Sequence, residues 1–220
     1  GYDGKGQALL RTAEDVEQAW VALPGSDLIL EGFVAFDREI AILAARSVTG
    51  ATAYYPLVQN RHREGILRRS VAPAPDTTPE LQALAQSYAA RVLDALDYVG
   101  VLAIELFQVG ETLIANEMAP RVHNSGHWTI EGAETSQFAQ HLRAITGLPL
   151  GSMAMRGHAA MFNLIGELPD PAAILAIPGA HLHLYDKAPR AGRKLGHVTL
   201  RCDDPTTFAE QLVTLKALLR

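Results

Sequence analysis

The chain of 220 residues has one cysteine, Cys202, which rules out a disulfide within it and suits a reducing compartment. Positive charge is also scarce. Nineteen Lys and Arg against 24 Asp and Glu leave a formal net charge of −5 and a pI near 5.9, so no basic field points to nucleic acid. No apolar run approaches the roughly 20 residues that span a bilayer, and no signal-peptide pattern is present. The expected compartment is the cytoplasm. Internal repeats and low-complexity segments are missing too. There is no initiating Met: the chain begins GYDGKGQ, a Gly-rich turn whose flanking strands need partners. We therefore expect the C-terminal part of a longer protein. What the chain has in quantity is apolar material, 48% of residues, enough for one full domain and a smaller one.

The pattern along the chain predicts an α+β fold with mostly antiparallel pairing. DLILEGFV at 27–34 reads as a strand. REIAILAARSV and ATAYYPLVQ read as a hairpin about Thr49-Gly50, and ILRRSVAPAP closes that sheet region at its prolines. A helix is expected from Thr78, as N-cap, with Pro79 in its first turn, to about Tyr98. Its stripe would be Leu81, Leu84, Ala85, Tyr88, Val92 and Leu96. A second helix is expected over 136–145. From about Leu148 short strands (158–165, 181–186, 197–201) alternate with Pro/Gly turns. A closing helix from Thr206 carries Phe208, Leu212, Leu215 and Leu219 on one face. This tail reads as a small second module packed on the first.

VGVLAIELFQVGETLIANEMAPRVHNSGHWT reads as two strands about a turn at Gly110-Glu111-Thr112. A turn centred on Glu111 makes Glu105 and Glu117 cross-strand partners, on a face expected to carry Ala103, Phe107, Leu113 and Ala115. Like charges directly opposite destabilise a sheet, and burying them unpaired costs more. Two readings follow: a solvated face, or a divalent cation held by both. Mg²⁺ prefers one or two carboxylates plus substrate phosphates.

Asn116 to Thr129 then packs Asn116, Glu117, Arg121, His123, Asn124, Ser125 and His127 into one stretch, with Pro120 ending the strand. Arg with His, Asn and Ser donors suits a carboxylate or phosphate. GYDGKGQ has three glycines that allow backbone N–H groups close to phosphate, with Lys5 as a point charge, yet it is not a Walker loop. Glu31 and Glu39 flank a strand end where adenine and ribose would fit; ordinary surface glutamates are the plainer reading. The clusters Arg61, His62, Arg63, Arg68, Arg69 and Lys187, Arg190, Arg193, Lys194 each read as a solvated loop or an anion site.

Taken together, GYDGKGQ, EGFVAFDRE, NEMAPRVHNSGHWT and YDKAPRAGRKLGH resemble the ATP-grasp ligases. Within them the chain is similar to the N5-carboxyaminoimidazole ribonucleotide synthetase family. The resemblance implies an ATP-grasp fold, antiparallel sheets with flanking helices, over 1–147, N-terminally incomplete. A small C-terminal β-rich module would follow over 148–220. It implies an ATP-dependent carbon–nitrogen ligase of purine biosynthesis, using ATP, Mg²⁺, bicarbonate and 5-aminoimidazole ribonucleotide, and acting as a homodimer without nucleic acid or membrane.

The resemblance also implies roles. Gly1, Tyr2, Asp3, Gly4, Lys5, Gly6 and Gln7 would close over the ATP phosphates, with Asp3 and Lys5 positioning bicarbonate or the phosphoryl group. Glu31, Gly32, Phe33 and Val34 would line the adenine pocket, Glu39 would bind ribose hydroxyls, and His62 would sit near the nucleotide. Glu105 and Glu117 would ligate Mg²⁺ with Asn116 beside them. Arg121, His123, Asn124 and Ser125 would meet bicarbonate and the ribonucleotide, Arg121 and His123 in the chemistry itself. Lys187, Arg193 and Lys194 would hold the ribonucleotide's phosphate. The formate-dependent glycinamide ribonucleotide transformylase has Asp-Thr-Gly where this chain has Asn124-Ser125-Gly126. That branch is one alternative; a nucleotide-binding fragment without catalysis is another.

Overall fold

A computed structural model describes residues 6–23 and 27–219. Helix α1 (Asp15–Ala22) precedes strand β1 (Arg38–Arg46). Six consecutive residues of β1 are buried, as expected of a strand covered on both faces. Alternation divides them. Ala41, Leu43 and Ala45 join Tyr55 and Trp128 in one cluster; Ile40, Ile42 and Ala44 join Leu81, Ala85, Ala89 and Leu93 in another. Strands β2 (Thr52–Tyr54), β3 (Val58–Arg63) and β4 (Ile66–Ala72) follow. The expected second arm of the hairpin is split into β2 and β3, both paired to β1, with Pro56 between them unable to donate to a ladder.

Helix α2 (Pro79–Ala95) starts as anticipated: the Thr78 hydroxyl accepts from Leu81 N at 3.2 Å, and Pro79 lies in the first turn. Leu81, Ala85, Ala89 and Leu93, spaced by four, form its buried stripe, whereas Leu96 lies beyond the helix and is exposed. Strand β5 (Gly100–Val109) turns through Gly110-Glu111 into β6 (Thr112–Ala119), with Gly110 at φ 57°. A 3₁₀ turn at Asn124–Gly126, α3 (Thr129–Gly132) and α4 (Gln137–Ile145) come next. Strand β7 (His158–Ile165), α5 (Pro171–Leu175), β8 (Ala180–Leu184), β9 (Lys194–Cys202) and α6 (Pro205–Leu218) complete the chain. Phe208 and Leu215 of α6 are buried over β7 and β9, with Leu212 and Leu219 partly buried beside them.

The strands form one sheet in the order β6-β5-β1-β3-β4-β7-β9-β8, with β2 on β1, and every ladder between them is antiparallel. Pairing of β4 with β7, from Arg69↔Phe162 to Ala72↔Ala159, carries the sheet into the C-terminal segment.

Two expectations need correction. No ladder includes 27–34, and Ile29, Leu30 and Phe33 are 82%, 85% and 79% exposed. A strand requires a partner for its N–H and C=O groups, and no described strand lies on this segment. The hairpin turn has two residues, not three: Val109 pairs with Thr112, and Leu106 with Ala115. That register would oppose Glu105 to Asn116. A bulge between Glu105 and Leu106 restores the Glu105↔Glu117 pair. The same bulge reverses the facing of the residues before it. Leu113, expected beside the glutamates, packs with Leu106 on the α2 side.

Candidate functional site

The site lies at one end of the sheet, on the face opposite α2. Glu39 of β1 is in register with Asn60 of β3 and Phe107 of β5, and its neighbour on that face, Ala41, is in register with Glu105. His62 Nδ1 lies 3.0 Å from Glu39 Oε1, and its backbone N donates to Glu39 Oε2 at 3.1 Å. Glu105 is 8% exposed. Its Oε1 accepts from Asn60 Nδ2 at 3.3 Å, and Asn60 Oδ1 accepts from Ser70 Oγ at 2.8 Å. His62 Nε2 and His123 Nδ1 approach the same Glu105 oxygen at 3.9 and 4.0 Å.

Electrostatics separate the half-buried Glu39 from the buried Glu105. Burial raises Glu39, but the hydrogen bonds and charge of His62 outweigh it and hold the carboxyl below its usual range. His62 moves the other way: burial lowers it, while its bond to Glu39 and the charges of Glu39 and Glu105 raise it. Burial pushes Glu105 up. His62 pulls against this, and repulsion from Glu117 and Glu39 leaves the net shift upward. Glu105 is thus short of positive charge, with the exposed Glu117 opposite it. The donor set fits a hard divalent cation that takes two carboxylates and completes its shell with phosphate and water. Among the described residues no group of three or more His, Cys, Asp or Glu is placed to hold a metal unaided.

After β6 the polar run folds into the 3₁₀ turn and α3 rather than an open loop. Its organiser is Gln137, 0% exposed at the start of α4. His123 N donates to Gln137 Oε1 at 2.9 Å; Gln137 Nε2 donates to His123 O at 2.7 Å and to His127 Nδ1 at 3.0 Å. Its own backbone N donates to Thr129 Oγ1. His123 Nδ1 accepts from Ser125 N at 3.3 Å and lies 2.8 Å from Ser125 Oγ. Burial, then the charges of Arg121, His127 and Lys194, lower His123 to about 4. The ring is therefore neutral near pH 7. With Nδ1 accepting, its proton is assigned to Nε2.

The structure brings together Glu39, His62, Glu105 and His123, places Glu117 opposite Glu105, and sets Lys194 close enough to shift His62, Glu105 and both His123 and His127. Arg121 is exposed, donating to Val122 O at 3.0 Å, and Asn116 is exposed at the bulge. Ser125 is completely buried, and the amide of Asn124 is engaged with Asn163 at 3.1 and 2.6 Å. Lys187 sits over the Tyr185 ring, and Arg193 donates to Ala188 O; neither touches the carboxylate row. Glu31, Gly32 and Phe33 are exposed, and Val34 is half-buried. Gly1, Tyr2, Asp3, Gly4 and Lys5 lie outside the described residues; Gly6 and Gln7 are exposed.

Sequence reasoning missed Asn60, Gln137 and Asn163. Alternation from Val58 along β3 reaches Asn60; nothing in the sequence signals Gln137 or Asn163. An open cavity of about 640 Å³ beside Leu57, Gln82, His158 and Phe208 holds none of the site residues.

Comparison with known proteins identifies the family. The ATP-grasp domain family matches residues 1–138, and the phosphoribosylaminoimidazole carboxylase C-terminal domain matches 159–211. The chain is 54% identical over 219 residues to the N5-carboxyaminoimidazole ribonucleotide synthase of Pseudomonas aeruginosa, covering 100% of this chain and 60% of that protein. To the Escherichia coli synthase it is 44% identical, covering 100% and 61%. The crystal structure of the Thermus thermophilus synthetase superposes with a TM-score of 0.94 at 62% identity, over 98% of this chain and 60% of that one. The Aspergillus clavatus synthase in complex with ADP and 5-aminoimidazole ribonucleotide gives 0.87 at 32% identity, over 94% and 58%. The chain thus spans about 60% of the length of these relatives. With the family match running over 1–138 and the site built on the sheet inside that range, the chain belongs to the ATP-grasp family.

Proposed function

We propose that this chain supplies the metal-binding and ribonucleotide-binding part of an N5-carboxyaminoimidazole ribonucleotide synthetase. The reaction carboxylates 5-aminoimidazole ribonucleotide with bicarbonate, at the expense of ATP, in purine biosynthesis. One observation carries the reading: the buried Glu105 faces Glu117, with Glu39–His62 on one side and His123 on the other. This is the donor set expected around a nucleotide's polyphosphate, and the relatives named above bear that activity in their names. A boundary near 147/148 between the two family segments, and a homodimer, belong to the same proposal.

Glu105 and Glu117 would hold Mg²⁺, which supplies neutralisation of phosphate charge. Glu39, fixed by His62, is placed to accept from ribose hydroxyls. Bicarbonate attacks the terminal phosphoryl group of ATP, giving carboxyphosphate and ADP. Carboxyphosphate then breaks down to CO₂ and inorganic phosphate, and the ribonucleotide's amine adds to the CO₂ and gives up a proton to form the carbamate. Arg121, exposed and free to form two parallel bonds, holds the carboxylate. Neutral His123 offers Nε2–H as a donor without carrying charge. The burial of Ser125 favours a supporting role, orienting that ring, over contact with substrate. Lys5 would meet the phosphoryl oxygens, where stabilising charge is most effective.

The test is ADP release by a protein of the relatives' full length that carries this chain. MgATP, bicarbonate and the ribonucleotide are supplied together and omitted in turn. Turnover needing all three is expected. Stimulation by glycinamide ribonucleotide with formate, and not by these, would overturn the substrate.

A further inference from the structure

Three imidazoles from separate parts of the chain meet beside the site. His127 follows the 3₁₀ turn, while His183 and His197 are cross-strand partners in β8 and β9. The rings of His183 and His197 stack, with centroids 4.4 Å and planes 10° apart, and His127 approaches His197 at 5.1 Å. Burial above all, then their mutual charges, lowers His197 to about 3. The His197 ring is therefore neutral near pH 7.

Both flanks of the stack are tied. His183 Nε2 donates to Glu131 Oε1 at 2.7 Å, and Glu131 lies on α3, in the same stretch as His127. Tyr185 Oη and His197 Nδ1 are 2.7 Å apart. Tyr185 is the first residue past β8, and its backbone N donates to Leu195 O at 2.9 Å, extending the hairpin. The Lys187 ammonium lies 5.4 Å from the centre of the Tyr185 ring. Contacts therefore run from Glu131 through His183, His197 and Tyr185 to Lys187. On the other side, His127 is bonded to Gln137, which holds His123.

We propose that Tyr185 and His197 are positioning residues whose hydrogen bond sets Lys187, and the loop 186–193 that carries it, at a fixed span from His123. A ribonucleotide gripped by its phosphate at the loop then presents its amine at the His123 end. The proposal rests on the reading of Lys187, Arg193 and Lys194 as phosphate contacts.

Tyr185→Phe keeps the ring under Lys187 and removes only the hydroxyl. His197→Ala removes the partner, and His197→Asn returns a polar atom near Nδ1. In the full-length protein, Tyr185→Phe and His197→Ala are expected to raise KM for the ribonucleotide about 5- to 10-fold, the size of one lost hydrogen bond. Unaltered KM for ATP, unaltered kcat and recovery in His197→Asn are expected with it. Ribonucleotide and ATP constants worsening together, or Tyr185→Phe without effect, would overturn the proposal. Should the unaltered protein show no response to the ribonucleotide, the proposed function fails, and amide exchange decides this point separately. Faster exchange confined to 186–193 in Tyr185→Phe supports the positioning role; unchanged exchange overturns it.

Discussion

Glu117 carries its charge at the sheet surface, whereas its partner Glu105 is buried among Asn60, His62 and His123. Replacing Glu117 by Gln therefore leaves the packing alone and removes half of the candidate cation pair. Glu117→Gln is expected to abolish Mg²⁺-dependent ATP turnover with an unaltered circular dichroism spectrum. Full activity with the same Mg²⁺ dependence would remove the pair from the metal site. Among the described residues Arg121 has no ion-pair partner, and its Nη1 donates to the adjacent carbonyl of Val122. Arg121→Ala is expected to lower kcat/KM about 10²-fold or more, as loss of a preorganised charge donor does. Kinetics near those of the unaltered protein would take Arg121 out of the chemistry.

At the scale of elements, α4 decides how the polar run is held. Its apolar residues Phe138, Leu142 and Ile145 are exposed, while Gln137, Gln140 and Ala144 are buried. An apolar stripe normally faces the core, so the sequence pattern points away from Gln137. Gln137→Ala leaves the buried His123 N–H and C=O without partners. A loss of about 2–4 kcal/mol in urea unfolding is expected, and a change below about 0.5 kcal/mol would contradict the role given to this amide. The Glu105–Glu117 pairing is reached by counting six residues to either side of a turn centred on Glu111, and that count holds. The bulge that brings it about was not legible, since the two-residue turn and the extra residue offset each other in the count. The segment 27–34 has strand composition, and composition says nothing about whether a partner is alongside. Thr78-Pro79 was legible because helix capping is local chemistry. The 3₁₀ turn and α3 are too short to leave a periodic signature.

At the scale of the molecule, buried neutral imidazoles make the fold sensitive to acid. Burial lowers His123 and His127 to about 4 and His197 to about 3, from an ordinary 6.5. A histidine depressed on folding contributes its full stability above 6.5 and loses it as pH falls toward the folded value, because the unfolded chain binds the proton first. His62, raised on folding, acts in the opposite sense: its contribution is complete below 6.5 and fades as pH rises through the folded value. Below 6.5 the three depressed rings act without opposition from His62, and the expectation is a loss on the order of a few kcal/mol from about pH 6.5 to about pH 5. Urea midpoints measured across that range check it, and a flat profile would contradict the three buried rings.

Lys194 of β9 bears on Glu105 of β5 although the sheet order puts five inter-strand steps between them. Laid flat, five steps would separate those strands by about 24 Å, beyond the reach of a screened charge. The sheet therefore curls, as successive right-handed twist allows, and the ring of His127, past β6, lies 5.1 Å from that of His197 of β9. Curvature then becomes a chemical variable. A substitution that flattens the middle of the sheet would draw cation and carboxylate apart and weaken the site without altering any residue in it.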